Sequence, residues 1–160
     1  MTKGRIILVI GIIVLIAGLV LGIDLLRRRT QESSVPAGSV PIYVDGKLVA
    51  AFTPTDLEQL EKVSFVDAEE GKTQEGWMLQ DVLRLHIAEA DLSPETTVTV
   101  SSSSRDKSAQ MTWAEVSDAD NMVMLDLANK GTLKLVSKLE RLDVRDEWVQ
   151  DVDKIEVSTP

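Results

Sequence analysis

No cysteine occurs in the 160 residues. That single absence excludes thiolate nucleophiles, cysteine-ligated zinc, iron–sulfur clusters and covalently attached c-type haem. It leaves the compartment open, because disulfide-free domains live on both sides of bacterial membranes. Histidine is nearly as scarce, with His86 the only example, and the aromatics amount to three Trp, two Phe and one Tyr. The nine glycines build neither a phosphate-cradling loop nor a G-x-S-x-G nucleophile elbow. Basic charge is in short supply as well. From Pro36 onward 12 Lys and Arg face 24 Asp and Glu. Such a surface is repelled by nucleic acid and by anionic lipid headgroups, and suits solubility or a basic protein partner.

The remaining candidates for chemistry are thin. His86 ends an amphipathic stretch four residues after Val82 and reads as a structural or surface residue. The acidic pairs Asp118/Asp120 and Asp151/Asp153, and the cluster Asp143, Asp146 and Glu147, lack the D-x-D-x-D-G order of a calcium loop. They read as a solvated face. Ser101 to Ser104 has no histidine nearby in sequence and reads as a loop. At least two of the three tryptophans, Trp77, Trp113 and Trp148, are expected in the core, since each buries a large area; the alternative for Trp77, after Glu75-Gly76, is the mouth of a pocket.

What the chain has in abundance is one apolar run. Residues 6–26 (IILVIGIIVLIAGLVLGIDLL) are broken only by glycines, one alanine and Asp24. As a helix they extend about 32 Å, enough to cross a bilayer's hydrocarbon core. The run exceeds the h-region of a cleaved signal, and Arg27, Arg28 and Arg29 follow it in place of a small-residue cleavage site. The expectation is a single-pass membrane protein held by an uncleaved anchor. Lys3 and Arg5 nearly balance the arginine triplet, which itself argues for a cytoplasmic C-terminal side. A short basic N-terminus before one long apolar run is expected to act as a signal anchor and to place the domain outside. Gly4, Gly11 and Gly18 recur every seven residues, and Gly18 and Gly22 form a small-xxx-small pair. Gly11, Gly18 and Gly22 are thus the candidate seam for helix association or a homo-oligomer.

The chain divides into 1–29, an anchor with basic flanks; 30–39 (TQESSVPAGS), a flexible linker; and 40–160, one soluble domain. In that domain Val40 to Val44 and Lys47 to Phe52 flank Asp45-Gly46, a strong hairpin signal. Thr55 is expected to cap a short helix carrying Leu57 and Leu60. Lys62 to Asp67 reads as a strand, Glu69 to Gly76 as a polar loop and Trp77 to His86 as a helix. Thr96 to Ser102 is a strand with a return strand to Met111. Thr112 with Glu115 makes a capping box. Met122 to Leu127 and Leu133 to Val136 form a second hairpin, and Trp148 to Val152 and Lys154 to Val157 close the chain. The fold class is a mixed, mostly antiparallel α+β domain behind a transmembrane helix.

In that order, the KVSFVD strand, the element Gly76-Trp77-Met78-Leu79-Gln80-Asp81-Val82-Leu83, the TVTVSS strand and the closing run from Trp148 to Val157 resemble the oxidoreductase molybdopterin-binding domain of the sulfite-oxidase type. The resemblance covers about 57–157 and rests on hydrophobic spacing, a Gly-Trp and a terminal strand. It implies that family's fold. The family holds molybdenum through a cysteine on the loop after the KVSFVD-like strand, and its cofactor phosphate through basic residues. This chain has no cysteine, and 67–75 carries four acids against Lys72, which repel a phosphate. No catalytic or cofactor-binding residue carries across. The implied protein is a shortened relative with no cofactor and no metal, more a binding module or accessory subunit than an enzyme. The alternative is a molybdopterin-dependent oxidoreductase with an oxygen ligand such as Asp67. The expected partners are the lipid bilayer and a protein; nucleic acid is not among them.

Overall fold

The computed structural model describes residues 35–160. Within it Asp45 and Gly46 both adopt left-handed backbone, φ 48° and 75°, as a two-residue hairpin with right-handed strand twist demands. They join β1 (Val40–Val44) to β2 (Lys47–Phe52). The chain continues through a 3₁₀ turn, Pro54–Gln59, into β3 (Lys62–Val66) and β4 (Thr73–Met78). Helix α1 (Leu79–Arg84) follows directly, then β5 (Thr97–Ser102), β6 (Lys107–Thr112) and α2 (Trp113–Ser117). Strands β7 (Met124–Leu127), β8 (Leu133–Val136) and β9 (Lys154–Ser158) complete the domain.

Two sheets result. The first has the order β2-β1-β9-β5-β6 and the second β3-β4-β7-β8. Every pairing is antiparallel except β1 with β9, which brings the two ends of the domain side by side. The expected mixed, mostly antiparallel α+β class is therefore observed. Alternation explains the first sheet. Ile42, Val98, Val100, Met111, Ile155 and Val157 point inward and are buried, while Tyr43, Thr97, Thr99, Ser101, Lys154 and Glu156 lie half-buried on the other face. The inward set meets Trp77, Leu125, Leu133 and Leu135 of the second sheet, and Leu79, Val82, Leu83, Trp113 and Val116 of the two helices, in one core. A smaller cluster, Met78, Met124, Val136 and Trp148, covers the second sheet's opposite face. All three tryptophans are buried, Trp77 among them, where at least two were expected.

Several local expectations need correction. The 3₁₀ turn is capped by Thr53, not Thr55: Thr53 N and Oγ1 both donate to the Asp56 carboxylate, at 2.7 and 2.8 Å. The segment read as a polar loop contains β4. Its sequence TQEGWM hides the strand because a glutamine and a glycine occupy the buried positions that share a face with Met78. Gly76 sits there because a Cβ would lie 2.1 Å from the Leu125 carbonyl oxygen of β7, so the two strands approach too closely for any side chain. Trp77 and Met78 consequently belong to β4, and α1 spans only Leu79–Arg84. Trp148 to Val152 forms no strand; it contributes one bridge, Leu135 with Val149. By contrast the capping box at α2 is present, with Glu115 accepting from Thr112 N at 2.8 Å and Thr112 Oγ1 accepting from Glu115 N at 3.3 Å.

Among the described residues no helix is long and apolar enough to cross a membrane. The apolar run 6–26, with Gly11, Gly18 and Gly22, lies outside the described residues.

Candidate functional site

The outward face of the first sheet carries a cleft of about 600 Å³. Four strands build it, from β1 through β9 and β5 to β6. Register sets the floor: Ser101 pairs with Lys154 on one side and Ser108 on the other, and Ser102 pairs with Lys107. Because Ile42 pairs with Ile155, Pro41 lies one position along β1 beside Lys154. Tyr43, the chain's only tyrosine, stands two residues further along the strand and pairs with Glu156. Ser103, Asp106 and Asp153 complete the rim.

The rim is clasped from several directions. Ser103 N donates to Asp153 Oδ2 at 2.8 Å, and Ser103 Oγ donates to the same oxygen. Asp153 N returns a bond to the Ser101 carbonyl at 3.0 Å. One position beyond the cleft, Arg105 holds Asp151 through two contacts of 2.7 Å, while Thr132 Oγ1 donates to the other Asp151 oxygen at 2.8 Å. Those donors, Thr132 first and Arg105 next, hold the Asp151 carboxyl below the usual carboxylate range. Lys107 Nζ donates to the Asp146 carbonyl, and Lys154 Nζ pairs with Glu156 at 3.1 Å. The turn between β5 and β6 is thus tied to the segment entering β9, and the cleft is preformed.

The residues singled out from sequence fall in different places. Ser101 and Ser102 end β5, as the strand expected from Thr96 to Ser102 has them and against the loop reading of the serine run, and Ser101 to Ser103 line the cleft. His86 lies two residues past the end of α1, with its ring stacked on Phe52, centroids 6.1 Å apart. Burial pushes its pKa down against the opposing pull of Asp56. Asp118 caps the next turn by accepting from Asp120 N at 3.0 Å. Among the described residues no group of three His, Cys, Asp or Glu side chains is placed to hold a metal ion.

Asp67 is 2% exposed and fully engaged. Its Oδ1 accepts from Glu70 N at 2.6 Å and its Oδ2 from Gln74 Nε2 at 2.9 Å. The Glu70 amide, foremost, keeps the carboxyl below its usual range. Gln74 in turn accepts from Lys134 Nζ at 2.9 Å, and Lys134 pairs with Asp126 at 3.0 Å beneath the Trp148 ring. Asp67 is therefore the end of a structural chain of polar contacts. Binding a metal there would break two hydrogen bonds. The neighbouring basic groups are also spent, because Lys72 and Arg145 both pair with Glu70. These residues do not fit the phosphate or the metal of a molybdopterin.

Tyr43, Lys107, Ser108, Asp153 and Lys154 were not visible as a group in the sequence. They come from three strands, β1, β6 and β9, and the segment entering β9, and only the polar alternation of TVTVSS and KIEVS hinted at a second, solvated sheet face. Comparison with known proteins found no matching protein-family model and no matching curated protein.

Proposed function

We propose that this chain is a membrane-anchored, non-catalytic binding domain that serves as an accessory subunit at a membrane surface, presenting the cleft of the first sheet to a small ligand or a protein partner. One observation carries the reading: the groups a catalyst would need are committed to holding the fold, whereas the cleft lining is preformed. Asp67, the example of an oxygen donor for the alternative of a thiolate-free molybdopterin oxidoreductase, is engaged by Glu70 and Gln74. The scaffold reading, a shortened relative of the sulfite-oxidase-type domain, is supported by the strand that carries Gly76-Trp77 leading directly into a short helix and by the terminal β9 at the centre of a sheet. Fold alone assigns no activity. The membrane anchor rests on the run 6–26, and its basic N-terminal flank favours an extracytoplasmic domain.

The test uses the full-length chain solubilised from its native membrane. Elemental and pterin analysis of the purified protein is expected to find neither molybdenum nor a pterin in stoichiometric amount. Affinity capture through the same chain is expected to retain a discrete partner. A stoichiometric molybdenum signal overturns the reading in favour of the oxidoreductase. Substituting Gly18 and Gly22 with Leu tests the membrane seam separately; undiminished association in detergent dismisses it.

A further inference from the structure

We infer that the cleft of the first sheet binds a neutral, polyhydroxylated ligand of the carbohydrate class, an assignment that rests on the binding-domain reading above. The lining balances two ammonium groups, Lys107 and Lys154, against two carboxylates, Asp106 and Asp153. An anion finds little there, because Lys154 is already neutralised by Glu156 and Lys107 is tied to the Asp146 carbonyl. A cation fares no better, because it meets those same two ammonium groups, and one Asp153 oxygen already accepts both Ser103 donors. What the cleft offers in surplus is hydroxyl groups. Those of Tyr43, Ser101 and Ser108 make no side-chain hydrogen bond among the described residues, and each can donate and accept. Such groups match a ligand whose own polar groups are hydroxyls.

Carbohydrate also needs an apolar surface for its C–H faces. The half-buried Tyr43 ring supplies it from β1, at the opposite side of the cleft from Ser108, with the buried Pro41 beside it. Three strand spacings separate β1 from β6, about 14 Å, so the trough takes a short oligosaccharide along the direction that crosses the strands. Its volume lies within the range of small-ligand sites. The clasps between Ser103 and Asp153 and between Arg105 and Asp151 keep the rim from reorganising on binding.

Isothermal titration calorimetry of the full-length chain in lipid nanodiscs tests this with two neutral linear tetrasaccharides, one of glucose and one of N-acetylglucosamine, and with inorganic phosphate. At least one saccharide is expected to bind at millimolar concentration or below, and phosphate is expected not to compete. Tyr43→Ala is expected to weaken binding by about tenfold or more, whereas Tyr43→Phe, which keeps the ring, stays within about threefold. Ser108→Val, at an exposed position where folding is not at stake, is expected to cost several-fold. The inference is overturned if neither saccharide binds, if phosphate displaces the saccharide, or if Tyr43→Ala and Ser108→Val both bind like the parent. If both saccharides fail while a photo-crosslinker at Ser108 captures a discrete protein, the ligand class falls and the binding-domain reading stands. If molybdenum or a pterin copurifies, that reading falls instead.

Discussion

Asp45 and Thr159 lie 114 positions apart, and the Asp45 carboxylate accepts from both Thr159 N and Thr159 Oγ1, each at 2.9 Å. This closes the domain on itself: the first hairpin turn is locked to the residue after β9. The same two donors, the amide first, hold the Asp45 carboxyl below its usual range. Donors act in the same direction on Asp56, Asp67, Glu70, Glu89 and Asp151. Each folded-state pKa therefore lies beneath its ordinary value of 3.8 for Asp or 4.5 for Glu.

The sign of the resulting pH dependence follows. A depressed carboxyl stabilises the fold fully above its unfolded pKa, and that contribution is lost as pH falls through the folded one. Thermal unfolding followed by circular dichroism is expected to show a shallow decline in Tm from pH 7 to 5, where His86 takes up its proton more readily in the unfolded chain, and a steeper decline below about pH 4 as the carboxyls protonate. Asp45→Asn is expected to lower Tm at neutral pH and to shrink the acid-dependent drop. A variant whose acid profile matches the parent's would show that the clasp between Asp45 and Thr159 contributes nothing.

Gly76 is the second point of leverage. A Cβ there meets the carbonyl and backbone of Leu125, not a side chain that can swing aside. Gly76→Ala must push β4 from β7 in the middle of the second sheet, a loss expected to exceed about 4 kcal/mol, at the upper end for single substitutions. The chain is expected to lose its cooperative unfolding transition. A well-folded Gly76→Ala protein with an unchanged midpoint in urea contradicts the register of β4 on β7.

How far the fold was legible depended on the range over which each signal acts. The hairpin at Asp45-Gly46 and the capping box of Thr112 and Glu115 are settled by four neighbouring residues, so sequence alone placed them. Strand β4 was missed because its justification is remote: Gln74 is buried by virtue of Asp67 and Lys134, and Gly76 by the approach of β7. The cleft was missed for the same reason at a larger scale. Ser101 was noticed only as part of a serine run, yet its position opposite Lys154 and Ser108 is a property of the sheet order. Trp148 was correctly expected in the core, but its site, against the outer face of the second sheet, required the non-strand segment that carries it.

Trp148 allows a graded test of that outer face. It packs with Met78, Met124 and Val136 and donates its Nε1 to the Leu142 carbonyl at 2.9 Å. Trp148→Ala is expected to cost about 3–5 kcal/mol in urea unfolding, from lost burial and the cavity left behind. Trp148→Phe keeps much of the packing and is expected to cost markedly less, with about 1 kcal/mol of it from the lost hydrogen bond. Equal losses would mean that the hydrogen bond, not the packing, fixes the segment.

Beneath that ring lies the most consequential charge of the domain. Lys134 and Asp126 are only 15% and 14% exposed at 3.0 Å, and Lys134 also donates to Gln74, which holds Asp67. Replacing the lysine alone strands a shielded carboxylate, and breaking a buried pair in this way costs about 3 kcal/mol or more. Lys134→Met is therefore expected to be strongly destabilising. Replacing both partners removes the stranded charge, so Lys134→Met with Asp126→Leu is expected to recover much of the loss. Equilibrium urea unfolding of the single and double variants checks the coupling. If the double variant is no more stable than Lys134→Met alone, the pair is not what the second sheet depends on, and the chain of contacts from Asp126 through Lys134 and Gln74 to Asp67 must be held by its other bonds.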